Sequence, residues 1–173
     1  SRENLTLSII GMGHKRFRAD QLWRALYRES VKSFDEISTL SKPFRRALRD
    51  RYSVSPLELA MTLMSKDGST IKSLFRLADG ELIETVLMRY EADGHRRPRK
   101  TACISTQAGC ALGCTFCATG QQGFRRNLTT GEIVAQVIEI QRIAYSEDEH
   151  DISESEPTKG ESQGITNVVF MGM

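Results

Sequence analysis

The chain has 173 residues, 39% of them hydrophobic and 27% charged, with a formal net charge of +2. That is enough for one or two modest domains with a real core, and the composition reads as soluble and globular. The longest apolar runs, such as 165–173, are far too short to span a bilayer, and SRENLTLSII lacks the apolar core and cleavage pattern of a signal peptide. A cytoplasmic protein without a membrane partner is expected. The start at Ser1 rather than Met reads as trimmed.

Residues 1 to about 53 read as a small helical unit. Ala19, Leu22, Trp23, Leu26 and Tyr27 recur at helical spacing as one apolar stripe. Ser33 followed by Glu36 has the pattern of a capping box, with Phe34, Ile37 and Leu40 to bury. Ser41 and Pro43 open a third helix, with Phe44, Leu48 and Tyr52 on one side and Arg45, Arg46 and Arg49 on the other. Lys15, Arg16, Arg18, Arg24, Arg28, Lys32, Lys42 and Arg51 make this segment strongly basic.

The period changes after residue 54. Asp67-Gly68 and Asp79-Gly80 separate runs rich in Leu, Ile, Val and Met, which predicts a three-stranded meander at about 58–65, 70–78 and 81–89. The meander is assigned to residues 54–92, and EADGHRRPRK (91–100) is a linker by composition. From residue 93 the order is strand, loop, helix, loop, strand. Thr101–Thr106 is the first strand. Thr129 to Glu132 is a second capping-box pattern, opening a helix with Ile133, Val137, Ile140 and Ala144 on one face, widened by Val134 and Ile138. ITNVVFM (165–171) reads as a buried strand. The acidic stretch of about 146–162 reads as a disordered surface insert. Residues 93–173 therefore form one βαβ unit, which implies a parallel sheet and an α/β class with an α+β N-terminal part. One such unit closes neither sheet nor barrel, so the chain reads as a fragment.

GCALGCTFC (109–117) carries Cys110, Cys114 and Cys117, three of four cysteines, in a Gly-rich loop. Such crowding without an export signal favours metal or redox chemistry in a reducing compartment over disulfides. Three incidental thiols are one alternative. A structural zinc is another, with Cys103, His95 or His14 as fourth ligand. A third is a cubane iron–sulfur cluster with one iron left open for a small molecule. Spacings of four and three after a strand, with Phe116 before the last cysteine, match the signature of radical S-adenosylmethionine enzymes.

The match is closer than that superfamily. TACISTQAGCALGCTFCATGQQGFRRNLTTGEIVAQV and ITNVVFMGM, with GELIETVLM and the KRFRADQLWRALY and SFDEISTLSK stretches upstream, resemble the RlmN family of radical methyltransferases. The resemblance implies methylation of carbon 2 of an adenine in large-subunit rRNA and in tRNA, and the start of a partial (β/α) barrel. It implies a [4Fe-4S] cluster on Cys110, Cys114 and Cys117, with S-adenosylmethionine on the open iron and Phe116 at the cofactor. It assigns Cys103 to resolving a covalent enzyme–RNA intermediate, and Glu84 to accepting a proton near the target base. It gives the basic N-terminal unit a role in RNA recognition, and implies a flavodoxin-like electron donor and a monomer. The runner-up is a Cfr-like relative that methylates carbon 8. From another class, the chain is a non-catalytic RNA-binding or zinc-binding module. Arg125 and Arg126 lie near enough to the cluster to face substrate or cofactor.

The Gly-Glu-Pro segment and the methyl-carrying cysteine of the resembled family are not in this sequence. The isolated chain is therefore expected to transfer no methyl group to RNA. Incubation with radiolabelled S-adenosylmethionine, reductant and ribosomal RNA checks this, and label in the RNA would contradict it.

Overall fold

The computed structural model describes residues 1–94, 96–151 and 164–171. The chain divides into two units, Ser1–Ser55 and Pro56–Met173. The expected zinc candidate His95 and most of the acidic insert lie outside the described residues.

In the first unit, α1 (Arg2–Gly11) is capped by Ser1, whose hydroxyl accepts the Asn4 amide at 3.3 Å. The sequence hid this helix because its apolar residues do not form one stripe: Ile9 is buried while Leu7 and Ile10 are exposed. Helix α2 (Phe17–Tyr27) buries Ala19, Leu22 and Ala25. The apolar stripe ends at Leu26 rather than at Tyr27. Tyr27 is exposed and stacks on Trp23 one turn away, with ring centroids 4.2 Å apart. Ser33 to Glu36 forms a 3-10 turn (Phe34–Glu36) rather than a capped α-helix. Glu36 does reach back, accepting the Lys32 amide and the Ser33 hydroxyl, but Ser33 caps no amide. Phe34, Ile37 and Leu40 are buried as expected. Helix α3 (Lys42–Arg49) has Pro in its first turn and buries Phe44 and Leu48. Tyr52 lies beyond its end and is exposed, outside the stripe expected for it.

The second unit is built on one five-stranded sheet of order β1-β2-β3-β4-β7. Strands β1 (Glu58–Met64), β2 (Thr70–Arg76) and β3 (Leu82–Tyr90) form the antiparallel meander. Its turns use Gly68 and Gly80 at φ of +71° and +88°, the left-handed backbone that Asp-Gly supplies at least cost. Strand β4 (Arg99–Ile104) pairs antiparallel with β3 and parallel with β7 (Asn167–Phe170). The meander, expected as a separate segment, is thus hydrogen-bonded into the same sheet as the βαβ unit. The class is α+β.

Helix α5 (Thr130–Asp151) connects the parallel strands and packs on one face of the sheet. Its Ile140 and Ala144 are buried, with Ile133 and Val137 beside them, against Ile71, Phe75, Ile83, Leu87, Ala102 and Ile104. Each large apolar side chain buried there contributes about 1.5–3 kcal/mol. Val134, expected to widen the apolar face, is exposed. The helix runs to Asp151, so the expected disordered insert begins in helix. The strand expected at 165–171 forms as β7. Among the described residues β7 has one neighbouring strand, β4, and its Val168, Val169 and Phe170 are exposed in this chain. A second, two-stranded sheet was not foreseen: β5 (Gln107–Gly109) and β6 (Phe124–Asn127) pair antiparallel around the cysteine loop, which also holds the short helix α4 (Ala118–Gln121). Among the described residues no helix is long and apolar enough to cross a membrane.

Phe44 is the largest side chain fully buried in the first unit. Phe44→Ala is expected to cost about 3–5 kcal/mol, comparable with the whole stability of so small a unit. Hydrogen exchange should then show α1 to α3 unprotected and β2 to β4 still protected.

Candidate active site

Strand alternation sorts the sheet residues onto two faces. Ile83, Thr85 and Leu87 of β3 are buried on the α5 side, while Glu84, Val86 and Met88 occupy the other, open side. Cys103 pairs with Val86 in register and so shares the open face with Glu84. The two are diagonal neighbours across β3 and β4, about 7–8 Å apart by sheet geometry. Glu84 forms an ion pair with Lys72 of β2 at 3.0 Å, with both side chains close to half exposed. Burial pushes the Cys103 thiol up from its ordinary range. Sequence reasoning missed Lys72, because its proximity to Glu84 follows only from β2–β3 register.

Beyond β4 the chain enters β5, then the loop holding the other thiols. The base of this loop is pinned. The Cys110 amide donates to the Gly123 carbonyl at 3.1 Å, and Gly109 pairs with Phe124. Gly109 has φ of +70°, and a Cβ there would stand 1.9 Å from the Gly123 oxygen, so only glycine fits. Within the loop the Cys117 amide donates to the Cys114 carbonyl at 3.1 Å, and the Gln121 amide to Cys117 at 3.0 Å. Gly120 packs so closely that a Cβ would lie 2.9 Å from the Cys114 nitrogen. Cys110 is buried and Cys114 and Cys117 are half-buried; all four cysteines are free. Phe116 is 89% exposed.

Among the described residues no three His, Cys, Asp or Glu gather in the arrangement that would hold one metal ion. The loop nonetheless carries three unpaired thiols on a backbone held at both ends. The thiolates of a cubane cluster bind different irons, and thiolate is its usual ligand, so this donor set fits such a group.

One guanidinium ties the loop base to the rest of the unit. Arg126 on β6 donates to both carboxylate oxygens of Glu132 at 2.9 and 2.8 Å, and to Asp79 in the β2–β3 turn at 2.6 Å. Glu132 also accepts the Thr129 amide and hydroxyl, while its own amide donates to Thr129, so the expected capping box forms. Hydrogen bonding from Arg126 and Thr129 outweighs burial and depresses the Glu132 carboxyl from an ordinary 4.5 to about 2. Arg126 lowers Asp79 as well, and both carboxylates hold Arg126 protonated. Arg126 is therefore committed to structure. Arg125 is exposed, 4.0 Å from Glu81. The capping box was visible in sequence; Arg126's partnership with Asp79, 47 residues away, was not.

In the N-terminal unit Arg18, Arg24 and Arg49 bind Gln21, Glu29 and Asp35. Arg16, Arg28, Lys42, Arg46 and Arg51 are exposed, with no side-chain partner among the described residues.

Comparison with known proteins sharpens this picture. Residues 1–54 match the family described as ribosomal RNA large subunit methyltransferase N-terminal domain. The whole chain is 42% identical to the dual-specificity RNA methyltransferase RlmN 1 of Myxococcus xanthus, spanning 43% of that protein. It is 41% identical over 99% of its length to the ribosomal RNA large subunit methyltransferase N of Nitrosopumilus maritimus, spanning 45% of it. A crystal structure of a radical SAM methyltransferase from Sphaerobacter thermophilus superposes with a TM-score of 0.80 at 36% identity, over 98% of this chain and 45% of that one. The chain thus spans less than half the length of these relatives. Its fold is that of part of a radical SAM methyltransferase structure. More narrowly, residues 1–54 match the RlmN N-terminal domain, and the whole chain is similar to part of RlmN relatives.

Gly109→Ala is expected to open the loop base, since the left-handed φ alone costs about 1–2 kcal/mol before the clash with Gly123 is added. Loss of amide protection at Cys110 would report it. Because Glu132 is depressed on folding, its contribution is present above about pH 4.5 and lost as pH falls towards about 2. Acid titration followed by hydrogen exchange at β6 should show loosening across that window, and Glu132→Gln should flatten the dependence.

Proposed function

We propose that this chain is part of a radical S-adenosylmethionine enzyme that methylates carbon 2 of adenine in large-subunit rRNA and tRNA. The observation that carries the reading is the loop of three free thiols, pinned at its base and reached through β5 from the end of β4, the strand that pairs parallel with β7. Cofactor loops in folds with parallel strands sit at those carboxyl ends. Cys110, Cys114 and Cys117 would hold a [4Fe-4S] cluster, and S-adenosylmethionine would bind the iron they leave open. Together these groups supply one-electron cleavage of S-adenosylmethionine. Phe116, exposed between the second and third thiols, offers an aromatic surface to the bound cofactor.

The remaining roles fall on the open face of the sheet. Glu84 is the carboxylate available to take a proton from the substrate, and Lys72 orients it. Cys103 is the second thiol of the reaction. Its burial keeps it protonated until a base acts on it. The exposed cations of the N-terminal unit would meet RNA phosphates, which adds affinity without sequence information. The proposal includes a flavodoxin-like reductant, a monomeric state and a cytoplasmic location.

The test is anaerobic reconstitution of the chain, with iron, sulfide and zinc quantified and EPR spectra recorded with and without S-adenosylmethionine. About four irons per chain are expected, the count of a cubane cluster. Single Cys→Ser changes at 110, 114 or 117 should each remove most of the iron. Cys103→Ser should leave it unchanged, because Cys103 lies on β4 outside the loop. Stoichiometric zinc without sulfide, or iron loss on changing Cys103, would overturn the assignment.

A further inference from the structure

Gln136 is a polar residue in the middle of the apolar face of α5, and it has no exposure at all. A buried amide without partners is costly, so its hydrogen bonds define what it does. Its Oε1 accepts from the Thr85 hydroxyl at 2.8 Å and from the Ser105 amide at 2.9 Å. Its Nε2 donates to the Ser105 carbonyl at 3.0 Å and to the Glu132 carbonyl at 3.3 Å. All four hydrogen-bonding positions of the amide are used. Two of them embrace one residue, Ser105, through both its N–H and its C=O, as a neighbouring strand would. Ser105 stands where β4 has ended and β5 has not begun.

Ser105 passes the constraint on in two directions. Its hydroxyl donates to the Glu84 carbonyl at 2.7 Å. The next residue, Thr106, accepts the Leu128 amide at 2.9 Å, where the chain leaves β6. One turn earlier on α5, the Glu132 carboxylate holds Arg126 of β6. Glu84 and both strands at the mouth of the cysteine loop are thereby referred to a single side chain on α5.

We propose that Gln136 is a positioning residue that sets the open-face carboxylate Glu84 and the mouth of the cysteine loop in one frame. The proposal rests on the reading that the loop thiols hold the cluster. Gln136 touches no reacting group; it acts through Ser105.

Gln136→Met tests this, since Met fills a similar volume without hydrogen bonds. Thr85→Val is the control: it removes the bond to β3 and leaves both contacts to Ser105. In wild type, the Ser105 amide is expected to exchange as slowly as the core amides of β3; rapid exchange there would by itself overturn the proposal, with no variant needed. In Gln136→Met, amides of Cys110 and Leu128 should exchange at least about tenfold faster, while those of Ile71 to Phe75 stay near wild type. Thr85→Val should leave the loop amides unchanged. After reconstitution under conditions where circular dichroism shows a folded protein, Gln136→Met should take up several-fold less iron and sulfide than Thr85→Val. Uniform acceleration across the sheet, unchanged loop amides, or equal iron uptake by the two variants would make Gln136 a core residue and nothing more. If wild type takes up no iron, the cluster reading fails, and the exchange pattern still decides the role of Gln136.

Discussion

Arg126 carries the constraint on which the second unit depends. One guanidinium joins β6, the first turn of α5 and the β2–β3 turn, through Glu132 and Asp79. Glu132 is almost fully enclosed, and a buried carboxylate is tolerated only when its oxygens are satisfied. Here they are, by Arg126 and by Thr129. The arrangement is fork to fork, which fixes direction as well as distance. Where α5 starts, where β6 returns and where the meander turns are therefore settled together. The thiol loop lies between β5 and β6 and inherits that frame.

Glycine does the complementary work. Gly109 and Gly120 lie where backbone meets backbone too closely for any side chain. The loop is consequently narrow, closed at its base by the Cys110–Gly123 hydrogen bond and folded on itself from Cys114 to Gln121. Its side chains face different surroundings: Cys110 is buried, the other two thiols are half-buried, and Leu112 and Phe116 stand exposed. A stiff backbone presenting thiols and an aromatic ring suits capture of a group from solution. The open face of the sheet carries Lys72, Glu84 and Cys103.

Much of this was readable from residue order, and the failures have physical causes. The meander was legible because Asp-Gly turns and alternating runs are local signals, and α5 because its capping box and apolar stripe are local too. Helix α1 was not, since its stripe is broken. The β5–β6 pair was not, because two strands of three and four residues carry too little pattern to separate from loop. The apolar run of β7 marks a strand, but what covers a strand is set by elements distant in sequence, and among the described residues only β4 pairs with it. Tyr52 fell outside its stripe because it lies beyond the end of α3, where helical spacing ceases.

Residue order alone carried the RlmN resemblance, the meander and α5, and the identity of the chemically capable residues: three thiols in one loop, a fourth on a strand, and a carboxylate. These are properties of neighbours along the chain, and spacing of a few residues encodes them. Which partners those residues meet was set by packing and strand register. Cys103 shares a face with Glu84 through the β3–β4 register, and Glu84 meets Lys72 through β2–β3. Arg126 answers Asp79 across 47 positions, and Gln136 reaches Ser105 across 31. Contacts of that span arise from packing an entire helix against a sheet, and no local pattern in the chain records them.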